Sequence, residues 1–393
     1  MGYQYPDWRK DMKKWLLSLI VLGLLVPMAL AGGDKDKHPG RLVVADARVG
    51  QLLVLDLEKG EVVGRFSAPG PAVVYPAPGG QYAFAIHREQ NRVSIVFTGL
   101  GLEDHGDHKD LVLQSPYIWA TINTGPRPAH FKSHANQIVI YNDGDGTMAV
   151  FDAAKLGLVP DFDQIATGAP DHGAPVALGR VVLAGSLNRG VVEVFSRGGR
   201  RITSFSGCPR LHGQAVLGSM VAYGCADGVL LLEERGGGFV SRKLANPVGT
   251  PERVRVGTLV AHPKHPFFIG NFGQGLARID TAIRPFPLPA NPVRFGFDKD
   301  GQLVVLTADG RLHTLEAATG RVLASLQVLK PIAAGADNIR PALALGDGMA
   351  YLTNPAAGEI LEVDLAQMQL KRRFNVGGTP GSLAWLWVDA KRH

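Results

Sequence analysis

A short double-strand phrase recurs eight times along this 393-residue chain, and no other feature restricts its fold so far. The first copy runs Leu42-Val43-Val44-Ala45-Asp46, a turn, then Leu52-Leu53-Val54-Leu55-Asp56, with Val62-Val63-Gly64-Arg65-Phe66 after it. Apolar and β-branched residues bounded by turn formers predict antiparallel strands. Later copies pair 82–87 with 92–97, 137–141 with 147–151, 181–185 with 191–195, and 221–224 with 229–232. The series continues through 267–270 with 276–279, 303–306 with 312–315, and 349–352 with 360–363. Intervals of roughly 35 to 55 residues fit four-stranded propeller blades, whose radial closure removes free sheet edges. Eight blades match the count. Seven would require one hairpin to be an insertion, and a β-sandwich does not call for so many similar units.

The two ends of the chain complete one another. Gly381-Ser382-Leu383-Ala384-Trp385-Leu386 reads as an inner strand with no hairpin behind it, whereas Arg41 starts close to a middle strand. Pairing the end with the beginning finishes a blade and closes the ring. The expected fold is therefore all-β: a single closed β-propeller over residues 41–390, with no second domain. Short helical turns are expected within 152–162 and within the Ala-rich stretch 331–336. The charged, Gly-rich residues 32–40 read as a flexible lead.

Residues 1–31 have the order of a secretory signal peptide. Lys13 and Lys14 precede an apolar run from Trp15 to Val26, and Ala29-Leu30-Ala31 supplies small residues at the boundary. The run falls short of the roughly 20 residues that span a bilayer. An exported, periplasmic protein with no stable membrane insertion after cleavage is expected. The segment carries four cations against two anions, so its removal lowers the formal net charge from +6 to +4. Charges of both signs are interleaved through the rest without a basic stripe, which argues against nucleic-acid binding. In an oxidising compartment Cys208 and Cys225, the two cysteines of the chain, are expected to form a disulfide that pins the segment holding His212. Use as metal thiolates is the alternative, without the close spacing of a C-x-x-C clamp.

Three histidines fall at equivalent places. From His130 to Asn142, His172 to Gly185 and His212 to Gly224, the offsets to comparable strand ends are 12, 13 and 12 residues. Such a register sets the three imidazoles at one level of three successive blades. Neutral imidazoles suit Zn²⁺, Cu²⁺ or Ni²⁺, with a carboxylate or fourth imidazole to complete the shell. The run Glu103-Asp104-His105-Gly106-Asp107-His108 is placed just before the third blade and offers His105 or His108 as that last ligand. Asp171 is a candidate acceptor for fixing the His172 tautomer. His134 is an alternate ligand. His87, His313, His262 and His265 read as packing or turn residues. Asp143-Gly144-Asp145-Gly146 reads as a hairpin turn, because the further ligands of an EF-hand loop are missing. No nucleophile elbow, phosphate loop or dinucleotide fingerprint occurs. Metal-hydroxide hydrolysis has no well-placed acid and base among the residues, and a non-enzymatic role is expected.

Together the phrases from Glu103 to His108, from His130 to His134, Asp171-His172-Gly173, Cys208-Pro209-Arg210-Leu211-His212-Gly213, Gly224-Cys225 and Gly270-Asn271-Phe272-Gly273 resemble the AztD family of periplasmic zinc metallochaperones. The resemblance covers most of the chain beyond the export segment. It implies a zinc-binding propeller in the periplasm that passes Zn²⁺ to the solute-binding protein of a zinc ABC transporter, with zinc storage or buffering without directed transfer as the alternative; a monomer is expected. It also implies that the ligands come from among His105, His108, His130, His134, His172 and His212. One departure is that the lead holds a single histidine, His38, where the family has a histidine-rich N-terminal region.

Overall fold

Each recurring phrase is apolar on both of its faces, so the sheet it builds must be covered on both sides. In the first copy Leu42 and Val44 point to one neighbour while Val43 and Ala45 point to the other, as alternation along a strand dictates. The computed structural model describes residues 40–335 and 338–390. The expected export segment, residues 32–39 of the lead and part of the 331–336 stretch lie outside them. Among the described residues there are eight four-stranded antiparallel sheets and one two-stranded hairpin. The sheets form an eight-bladed propeller, as the repeat count requires, and the seven-bladed alternative falls away.

Eight apolar clusters form the core, each wedged between two neighbouring blades. Every recurring hairpin supplies the second and third strands of a blade. The first blade closes the ring: Pro380–Leu386 pairs antiparallel with Arg41–Asp46, placing Ala384 opposite Val43. Leu383, Ala384 and Leu386 are buried there. Asp46 tightens this seam by accepting hydrogen bonds from the backbone N–H groups of Thr379, Arg48 and Val49. Arg41, itself buried, pairs with Asp56 and donates to the carbonyls of Thr98 and Gln114, tying the first blade to the second.

The short helical turn expected after Asp152 is present at Ala153–Lys155, capped by the Asp152 side chain. In the second Ala-rich stretch the described residues 331–335 form no helix, and Ile332 N–H instead bonds the Ala308 carbonyl. Among the described residues no helix is long and apolar enough to cross a membrane. Cys208 and Cys225 are disulfide-bonded, as expected, and join the approach to the fifth blade to the end of its second strand.

If the terminal strand fastens the ring, Leu383→Ala with Leu386→Ala should remove about 2–5 kcal/mol per buried leucine. The melting temperature followed by circular dichroism should fall by roughly 5 °C or more. Leu158→Ala, at a side chain that is 78% exposed, is the matched control and should leave it nearly unchanged.

Candidate metal centre

All inner strands of a propeller run in one direction, so their first residues gather on one rim. In the third blade the inner strand is Pro128–His134, and a register shift between Pro128 and His130 breaks its pairing with Gln137–Asn142. The resulting bulge re-aims the strand where His130 stands. In the fourth blade His172 immediately precedes the inner strand Gly173–Leu178. In the fifth, His212 lies two residues ahead of Gln214–Leu217. Glycine follows both of these histidines for a steric reason. A Cβ on Gly173 would sit 2.3 Å from the Tyr141 ring, and Gly213 has φ +75° with the Gly257 carbonyl 2.5 Å from where its Cβ would be. Only glycine fits either place.

One ring nitrogen from each of His130, His172 and His212 lies within 4.8 Å of the others, and all three side chains are half-buried. The ring centroids are 4.3 Å apart for His130 and His172, 5.4 Å for His172 and His212, and 5.8 Å for His130 and His212. The surrounding hydrogen bonds set the protons. His212 Nδ1 lies 2.7 Å from the Gly257 carbonyl; a carbonyl can only accept, so the proton is on Nδ1 and the Nε2 lone pair is left for a metal. His172 Nδ1 donates in the same way to Asp143 Oδ2 at 2.7 Å. Its Nε2 lone pair faces His130 Nε2 at 2.7 Å, so in neutral His172 the proton between them belongs to His130.

Burial, reinforced by the nearby His172, pushes the His130 imidazole down to about 4. Burial also lowers His212, against the opposing effect of its bond to Gly257. Both rings are therefore neutral near pH 7, the form that ligates metals. Burial alone would raise the Asp143 carboxyl, but hydrogen bonds from His172 and from Arg88, whose Nη2 is 3.0 Å from Oδ2, hold it below its ordinary value. Asp143 is thus an ionised, buried anchor behind His172.

The donor set suits zinc. Tetrahedral Zn²⁺ with Zn–N bonds of about 2.0–2.1 Å needs its nitrogens about 3.3 Å apart. The His130–His172 pair must open by about half an ångström while His212 closes in, and the bridging proton must leave or move to His130 Nδ1. Bound by these three imidazoles, a tetrahedral ion would keep a fourth position open, unlike a closed four-ligand structural site.

Other expected residues stand elsewhere. His105 and His108 sit at the tip of the hairpin Leu100–Asp104 and Lys109–Leu113, inserted between the third and fourth strands of the second blade. That insertion springs from the Phe97 and Tyr117 end of the blade, opposite the end where Val73, Ile86, Val93 and Ile122 align. The histidine rim is at this latter end. The hairpin is therefore part of the second blade and is rooted away from the trio. His105 Nε2 lies 3.2 Å from Asp110, and His108 Nδ1 lies 2.8 Å from Asp107. His134 is at the far end of its strand, opposite Gln137.

Asp171 does not orient the His172 ring. Its carboxylate accepts the backbone N–H groups of His172 and Asn188, and Asp143 holds the ring instead. The signal was present in the sequence, because Asp143 directly follows Asn142, the strand end used to align His130. His87 and His313 are buried packing residues, bonded to Gly70 and Ser94 and to Thr307 and Ser325. His265 reaches from its own turn to the Gly301 carbonyl in a turn of the neighbouring blade. A pocket of about 820 Å³ bordered by Arg88, Glu89, Arg294 and Trp385 contains none of the three histidines.

No protein-family model matches the chain. It is 27% identical to the zinc chaperone AztD of Citrobacter koseri over 97% of its own length and 95% of that protein. The crystal structure of Citrobacter koseri AztD superposes with a TM-score of 0.81 and 26% identity, covering 90% of this chain and 99% of that one. The apo form gives 0.80 and 25% identity over 89% and 98%. Dihydro-heme d1 dehydrogenase NirN, at 12% identity and a TM-score of 0.61, shares the fold alone. Agreement in sequence and in structure over nearly the full length of both chains makes this protein a homologue of the zinc chaperone AztD.

Proposed function

We propose that the protein is an exported zinc chaperone that binds Zn²⁺ through His130, His172 and His212 and delivers it, in the periplasm, to the solute-binding protein of a zinc ABC transporter. The observation that carries this reading is the convergence of three imidazoles at one rim in a homologue of a zinc chaperone. The disulfide fits an oxidising compartment. Zinc here is cargo. The charge around the site favours its release, because the one anchoring carboxylate, Asp143, is matched by Arg88, and no thiolate contributes. A donor exchange that replaces imidazoles one at a time avoids freeing a bare cation. No catalytic role is proposed: Asp143 and Asp171 are already held by hydrogen bonds and are not placed to move substrate protons.

Alanine at His130, His172 or His212 should each weaken zinc binding by at least tenfold in a competition titration with a chromogenic chelator. Unchanged affinity and stoichiometry in all three would reject the assignment. Asp143→Asn keeps the shape but loses the charged acceptor behind His172, and should weaken zinc binding by about 10- to 100-fold. Affinity equal to that of the unaltered protein would show that the carboxylate does not tune the ligand. The delivery step is tested by mixing the zinc-loaded protein with the apo solute-binding protein and excess chelator. Transfer faster than spontaneous loss to the chelator is expected, and equal rates would overturn directed delivery.

A further inference from the structure

The rim next to His212 gathers arginines around two adjoining pockets. Several other arginines are matched with carboxylates: Arg189 and Arg201 with Glu193, Arg278 and Arg284 with Asp280, Arg372 with Glu362. Arg210, Arg253 and Arg255 have no ion pair among the described residues. Arg255 instead donates to the backbone carbonyl of Arg210, which brings two cations together. The positive charge of Arg210 adds to burial in lowering Arg255. Repulsion of this kind is ordinarily relieved by a neighbouring acid, and Glu252, the carboxylate bordering the same pocket as Arg210 and Arg253, makes no ion pair among the described residues.

The position of this cluster is fixed from two sides. The Cys208–Cys225 disulfide anchors the segment that carries both Arg210 and His212. Arg253 and Arg255 lie on the connection 246–258 between the fifth blade's last strand, Gly238–Ala245, and the sixth blade's first, Leu259–Ala261. Arg253, Arg255 and His212 line one open pocket of about 700 Å³, and Arg210 borders the adjoining one with Arg253. Val248 is fully exposed on the same connection. A metal ligand therefore opens into a concave mouth bordered by uncompensated guanidinium groups.

We infer that this arginine mouth is the docking surface for a carboxylate-rich segment of the protein that accepts zinc. The inference rests on the proposed delivery function and specifies its recognition. Guanidinium groups bind carboxylates in pairs of hydrogen bonds and steer oppositely charged partners into contact. Approach here brings the acceptor beside His212. A flat lipid surface does not enter a concave mouth, and three clustered arginines are far short of the stripe that nucleic acid requires.

The probe is a fluorescein-labelled deca-glutamate peptide, followed by anisotropy with the full-length mature protein. The variant is Arg210→Gln with Arg253→Gln, with melting temperature and zinc affinity confirming its fold. Peptide binding by the unaltered protein is expected, falling about tenfold in the variant and disappearing at high salt. Equal peptide binding by both proteins, or no binding by either, would overturn the inference, as would binding confined to phosphatidylglycerol vesicles. In a second arm, transfer to the apo solute-binding protein should slow by about tenfold or more in the variant at low salt. Absence of transfer from the unaltered protein would instead count against the delivery function, while the peptide titration still decides the surface.

Discussion

The structure depends on the burial of both faces of every sheet. A strand such as Arg41–Asp46, apolar on both sides, leaves an exposed face wherever a neighbouring blade is missing. Full closure satisfies that demand at once for all eight sheets, and the terminal strand provides it by returning to the start of the chain. A ring of this kind is stabilised by many equivalent wedges rather than by one centre. Its inner rim, where strands begin, is consequently free to carry polar side chains without weakening the core.

That freedom explains the histidines. Three consecutive blades each begin with an imidazole at the same height, and the local devices differ. A bulge serves His130, while glycines that clear Tyr141 and the Gly257 carbonyl serve His172 and His212. Each device sets the backbone, and a separate acceptor sets the ring. Asp143 and Gly257 select the tautomers of His172 and His212 from outside the cluster, as outer partners of metal-binding histidines commonly do.

The blade count, the closing strand and the three-histidine register were legible because they follow from period and spacing, which a linear sequence displays directly. The disulfide was legible from compartment chemistry. The place of His105 and His108 was not, because an inserted hairpin interrupts the second blade, so nearness in sequence to the third blade misstates the end of the sheet from which it springs. Asp143 and Asp171 were confused for a related reason. Asp171 neighbours His172 along the chain and caps its backbone, whereas Asp143 reaches the imidazole from the adjacent blade. Ring orientation is decided between blades, so the sequence of the His172 blade alone does not encode it.

The bond between His130 and His172 bears on how the proposed zinc site would release its cargo. Without metal the two rings are joined through a shared proton at 2.7 Å, so the metal-free state is itself a bonded arrangement. Zinc must break that bond before it can occupy both nitrogens, and its departure restores it. A hydrogen bond of this type contributes about 0.5–1.5 kcal/mol net, which corresponds to roughly a two- to twelvefold lower affinity than three unpaired imidazoles would have. Among the described residues His130 Nδ1 has no partner that fixes it, unlike the corresponding atoms of His172 and His212. The ring with the fewest ties thus carries the proton that competes with the metal, and ligand exchange in the proposed transfer begins with the least cost at His130.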